Sequence, residues 1–183
     1  MNLAFDEKKT TQAAALLLKR EGRVMNYMKL IKLLYLIDRE ALNRWNRPVS
    51  FDRHYSLPHG QVLSNTLDLI SEGVPPGVDS YWLKHISPPI GYTIELKDDF
   101  LCDKLSQAET NLINEIFDKY GKLDQWQLED LHHNLPEYRD PCGSCVRTEY
   151  KDILIALGKT DSQASAILQE LEHLEFTQNI LGK

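Results

Sequence analysis

The chain has 183 residues, 42% hydrophobic and 26% charged, with a formal net charge of −6. It is long enough for one well-buried core, and no stretch reaches the roughly 20 apolar residues that a membrane span requires. Asp6, Glu7, Lys8 and Lys9 stand where a signal peptide would need apolar residues, so a cytoplasmic protein of one domain over 1–183 is expected. Three cysteines, an odd number, make a poor disulfide framework and are read as free thiols. The charge is uneven: residues 1–60 hold 11 Lys/Arg against 6 Asp/Glu, and residues 61–183 hold 10 against 21. An acidic bulk disfavours non-specific nucleic-acid binding and suits a basic protein partner, or simply keeps the surface solvated.

In chain order, Ala13-Ala14-Ala15-Leu16-Leu17-Leu18 predicts a first helix from about Asp6 to Arg20, stopped near Gly22. A second helix is expected from Asn26, as cap, to about Trp45, with Pro48 closing it. This helix carries two apolar stripes, Leu30, Leu33, Leu34, Ile37 and Ala41 on one side and Tyr27, Ile31, Tyr35 and Leu42 on the other. A helix apolar on both sides is packed from both sides and lies centrally. An extended rhythm at Val49, Phe51, Tyr55 and Leu57 ends at Gly60, where a bend is expected to lead into a third helix through Leu63, Leu67 and Ile70. Tyr81 to Leu96 predicts two short strands around Pro88-Pro89-Ile90-Gly91, the only convincing β material. Ser106 and Glu109 form a capping box for a helix ending at Gly121, Asp124 caps another through Leu131, and Pro136 to Gly143 is a loop. Tyr150 to Leu157 and about Asp161 to Glu175 complete the chain as helices. The expected fold is mostly α, a single-domain helical fold around a central hydrophobic helix with a small β hairpin or sheet element.

Two blocks resemble a known family. Lys29-Leu30-Ile31-Lys32-Leu33-Leu34-Tyr35-Leu36-Ile37-Asp38-Arg39-Glu40 is similar to the lysine-leucine-leucine-tyrosine helix of the Panacea, or SocA-like, antitoxin domain, and Pro58-His59-Gly60-Gln61-Val62 resembles its histidine-glycine-proline-valine bend. Gln61 replaces the usual proline, which returns a backbone N–H to the bend. A third block, His133 to Pro141 followed by Tyr150 to Leu154, is similar to the C-terminal part of one subgroup, so the likeness spans about residues 23–158. The resemblance implies a helical, non-catalytic antitoxin without cofactor. Its implied partner is a protein toxin encoded next door, of a type the domain does not specify.

An inhibitory surface favours aromatic and arginine anchors on a rigid frame. Arg39, Arg44, Trp45, His54, Tyr55 and His59 are expected at or near the exposed ends of the second helix and the bend, and are the candidate toxin contacts. Alternatively Trp45 and Tyr55 complete the core and the histidines hold the bend by hydrogen bonds. Asp38, on a helix apolar on both sides, is expected to be buried and paired with a nearby Lys or Arg, and Gly60 to support the bend. On this reading Arg39→Glu leaves folding intact and weakens neutralisation.

Other chemistry has weaker sequence support. Cys142 and Cys145 form a C-x-x-C downstream of His132 and His133, a possible zinc set, but adjacent helical histidines point about 100° apart. No nucleophile-elbow, Walker or dinucleotide glycine pattern occurs; a metal-dependent enzyme would have to bring Asp38, His54, His59 and later histidines together. Ser106 to Leu131 has helix-turn-helix spacing, which keeps a DNA-binding regulator as an alternative. Its second helix, however, holds Asp124, Glu129 and Asp130 and no Lys or Arg, which suits scaffolding better.

Overall fold

The computed structural model describes residues 5–181, with side chains to residue 173. Helix α1 (Glu7–Arg20) starts at Asp6, whose carboxylate accepts from Lys9 N at 2.9 Å, and buries Ala13, Ala14, Ala15, Leu17 and Leu18. The chain turns back at Gly22, φ +92°, into strand β1 (Val24–Asn26) and then helix α2 (Tyr27–Trp45). Asn26 Oδ1 accepts from Met28 N at 2.9 Å, and left-handed Asn46 ends the helix before Pro48.

Every residue from Lys29 to Asp38 is buried. Ten consecutive buried residues leave no solvent face, as the two apolar stripes require, and α2 is the axis on which the other elements pack.

After α2 come strands β2 (His54–Leu57) and β3 (Gly60–Leu63), paired antiparallel from His54↔Leu63 to Leu57↔Gly60. The expected bend into a helix is therefore a β-hairpin around Pro58 and His59. Neither turn residue has a positive φ, and Gly60 takes the left-handed position at +95°. Helix α3 (Ser64–Ser71) follows without a cap of its own. Asp52, buried 12 residues before it, accepts from Asn65 N at 2.8 Å and Thr66 N at 2.9 Å and takes that role.

The first of the two strands expected within 81–96 is a short helix, α4 (Tyr81–His85). Glu7 on α1 accepts from Trp82 N at 2.9 Å and from Ser80 Oγ at 2.6 Å, fixing a helical turn where aromatic residues alone suggested a strand. Strand β4 (Thr93–Glu95) pairs with β1, with Met25 opposite Ile94, and isolated bridges at Ile86↔Leu96 and Ile90↔Thr93, with hydrogen bonds between Ser87 and Glu95, join it to the preceding segment. Helices α5 (Gln107–Tyr120) and α6 (Gln125–His133) each begin with a complete capping box, at Ser106 and at Asp124. Strand β5 (Val146–Thr148) lies between the expected loop of Pro136 to Gly143 and the helix from Tyr150, where no element was expected; it pairs with β2, giving the order β3-β2-β5. Helices α7 (Tyr150–Ala156) and α8 (Asp161–Leu181) close the described chain. The described residues thus form eight helices and two small sheets around α2, a mostly helical fold with a minor β element.

Candidate functional site

Lys32 lies in the middle of the buried stretch of α2, 1% exposed. Its Nζ donates to the carbonyl of His59 in the β2–β3 turn. The other buried lysine, Lys29, is paired with Glu21 at 2.5 Å, whereas Lys32 has no carboxylate within 4.0 Å among the described residues. Burial pushes its pKa down to about 8, and the negative charge of Glu129 on α6 pulls it partly back.

Behind the turn sits His132, 0% exposed, with neither ring nitrogen in hydrogen-bond geometry to a partner among the described residues. Burial, aided by the charge of Lys32, holds its pKa well below the ordinary histidine value, so the ring is neutral. A Cβ at Gly60 would stand 2.8 Å from Lys32 Nζ and 2.9 Å from His132 Cβ. Glycine is needed there twice over, for the left-handed backbone and for the close approach of the turn to α2 and α6.

In front of the same turn lies an open groove of about 420 Å³, walled mostly by apolar surface. The first turn of α2 contributes Asn26, Tyr27 and Met28, with Ile31 and Lys32 one turn on. Leu57, Pro58, His59 and Val62 come from the hairpin, Leu67 from α3, Tyr92 from the turn before β4, and Gln125 and Trp126 from the start of α6. Tyr27 stacks on Tyr92 with centroids 6.0 Å apart, and Tyr27 N donates to Tyr92 O at 2.9 Å, which fixes one rim. Trp126, 57% exposed, meets the His59 ring edge-on at 6.5 Å on the other rim, and His59 Nδ1 lies 3.1 Å from Glu129.

The six residues taken as contact candidates are not brought together. His59 alone lines the groove. Arg39 is turned inward: its Nε and Nη2 bind the carboxylate of buried Glu137 at 2.6 and 3.2 Å. Arg44 is exposed but neutralised by Glu40 and Glu115, both at 2.7 Å. Trp45 packs half-buried against the core, and Tyr55 is half-buried in β2, opposite Val62 and Arg147.

His54 was expected near an exposed end and is instead 2% exposed, its Nε2 3.4 Å from Asp38 Oδ2. It lies edge-on to Tyr35 and Tyr150. Asp38 is buried as expected, but its partners are not Lys or Arg. It accepts from Val49 N at 2.8 Å, from Ser50 N at 2.9 Å and from Ser50 Oγ, so neutral donors and nearby His54 take the place of a counterion. The space beside His54 is about 20 Å³, room for little more than one water. Gln61, the departure from the family's proline, is fully buried and joins the sheet by its side chain: Nε2 donates to Ser56 Oγ at 2.9 Å and Oε1 accepts from Thr148 Oγ1 at 3.2 Å.

His132 faces the core, while His133 Nε2 lies 2.9 Å from the Pro58 carbonyl and Cys142 and Cys145 are exposed. Among the described residues no three His, Cys, Asp or Glu side chains gather as a metal site, and these four do not converge. The α5–α6 pair is packed against α2, with Leu112, Ile113, Leu128 and His132 buried. No helix of the described residues is long and apolar enough to cross a membrane.

Sequence reasoning missed Lys32, Tyr92 and Trp126. Lys32 had a signal: the argument that singled out Asp38, a charge on a helix with no solvent face, applies to it equally. Trp126 was visible as an aromatic in the first turn of a polar helix. Tyr92 had none, because its place beside Tyr27 depends on β4 pairing with β1.

A buried axial helix, encased by helices and shouldered by two small sheets, defines a mostly helical class of fold with a minor β element. A family model described as Antitoxin SocA-like, Panacea domain, matches residues 30–138, and the chain belongs to that family. Comparison with curated proteins and with solved structures found no match.

Proposed function

We propose that this protein is the antitoxin of a toxin-antitoxin pair and silences its toxin by direct binding, without catalysis of its own. The observation that carries this reading is the open apolar groove on a domain of an antitoxin family, rimmed by the exposed rings of Trp126 and Tyr92. Exposed aromatics around an apolar floor are the anchors that protein interfaces favour, and the groove walls belong to fixed elements rather than to a free loop. The contact surface in this proposal centres on His59 and Trp126; Arg44 and Tyr55 are peripheral, and Arg39 and His54 serve the frame beneath.

Co-expression with the product of the adjacent reading frame tests the proposal. That product alone should arrest growth, and this chain should restore it. His59→Ala and Trp126→Ala should each weaken rescue while leaving the melting temperature within a few degrees of wild type. A neighbour that is harmless alone, or toxic regardless of this chain, would overturn the reading. A promoter fragment that shifts in a gel at physiological salt without affecting toxicity would favour the DNA-binding alternative.

A further inference from the structure

Several features have no role in the frame alone. Among the described residues Lys32 is a buried cation with one neutral hydrogen-bond partner, the His59 carbonyl, and no ion pair. It lines the groove, as do the first turns of α2 and α6, the helix ends that carry partial positive charge. Asp124 already occupies the α6 amides, accepting from Trp126 N and Gln127 N at 2.9 Å, and Glu129 is engaged with His59. Neither acid pairs with Lys32. Among the groove's lining residues Lys32 is the one Lys or Arg, and none is Asp or Glu.

We infer that the groove receives an amphipathic segment of the toxin, and that an Asp or Glu side chain of that segment pairs with the Lys32 ammonium. The inference rests on the antitoxin reading and adds the chemistry of the partner segment. Apolar side chains of the segment cover Tyr27, Ile31 and Val62 between the Tyr92 and Trp126 rims. Lys32 is 1% exposed in the free chain, so this carboxylate reaches the N–H donors not spent on His59 only as the amine shifts toward the groove. Desolvation makes this pairing selective: a cation held in an apolar recess gains most from an acid that arrives with its own apolar flanks and excludes water.

Calorimetric titration of the purified chain with an inactive variant of the adjacent toxin tests the inference. Lys32→Met should weaken binding by about 10- to 100-fold at unchanged helical content. Among single Asp→Asn and Glu→Gln changes in the toxin, one should weaken binding to wild type comparably and barely affect binding to Lys32→Met. Binding of Lys32→Met within about twofold of wild type, or purely additive effects for every acid, would overturn the inference. Coupling of Lys32 only to an amidated toxin C-terminus would overturn the side-chain assignment. Absence of any binding by the wild-type chain would instead overturn the antitoxin reading itself.

A measurement on unmutated protein covers the case in which Lys32→Met does not fold. The ¹³Cε signal of Lys32 should titrate at higher pH in the complex than in the free chain, and an unchanged titration would sink the idea. The other titratable groups around Lys32 are His59, Tyr27 and Tyr92, which line the groove, and Glu129 and His132 on α6, which act on the amine from outside the lining.

Discussion

The guanidinium of Arg39 closes on the carboxylate of Glu137 across 98 residues of sequence, with Nε 2.6 Å and Nη2 3.2 Å from its two oxygens. Tyr35 adds its hydroxyl to the same carboxylate at 2.9 Å. Glu137 has 0% side-chain exposure, so this cluster ties α2 to the loop after α6 through a buried charge. Arg39 thus sits in this cluster with its side chain 18% exposed, not at the exposed end where it was expected.

Arg39→Ala should destabilise the fold by roughly 3–5 kcal/mol, because it strands a buried carboxylate with only a phenol for company. Arg39→Glu should be worse, since it sets two carboxylates against each other. Urea unfolding followed by far-UV circular dichroism measures both. A change below about 1 kcal/mol would return Arg39 to the surface.

The Lys32 amine, shifted from 10.5 to about 8, makes stability depend on pH in a definite direction. Between those values the unfolded chain binds the proton that the folded chain has released, so stability rises with pH across that window. The charged amine costs on the order of 3 kcal/mol below pH 8, a value that scales with the shift. Lys32→Met removes this penalty and leaves the His59 carbonyl without its donor. The variant should thus be more stable than wild type at pH 7 by about 1–3 kcal/mol, with the gap narrowing toward pH 10.5. Denaturation series on both proteins at pH 7, 8, 9 and 10 give the difference directly.

Gly60→Ala places a methyl carbon 2.8 Å from Lys32 Nζ and 2.9 Å from His132 Cβ, on a backbone with φ +95°. The lysine end can move, but the His132 Cβ is fixed by α6. A loss of roughly 2–5 kcal/mol is expected from strain and overpacking together. Thermal unfolding reads it, and a proton NMR spectrum with a displaced Trp126 resonance would locate the damage at the groove.

Leu34→Ala and Ile37→Ala remove side chains that are 3% and 1% exposed on the same apolar stripe of the axial helix. Each should cost about 2–5 kcal/mol, as a large side chain lost from a closed core leaves a cavity that neighbours only partly fill. Chemical denaturation with an unchanged m-value would attribute the loss to stability alone.

The axial helix and most helix boundaries were legible because their causes are local. Asn26 caps its own helix, Ser106 and Glu109 lie three residues apart, and two apolar stripes on one helix compel packing on both sides whatever the packing elements are. The family blocks were equally visible, since they are carried by consecutive residues. Decisions left to the tertiary structure involve partners far apart in the chain. β5 is a strand because β2 offers it an edge, Glu7 reinforces the Ser80-capped first turn of Tyr81–His85, and Asp52 caps α3 from before the hairpin. The placement of charges belongs to the same class. Glu137 draws Arg39 inward, while Lys32 has no carboxylate in direct contact among the described residues. Which charge is paired and which is spare depends on distances in space, and those exist only once the chain has folded.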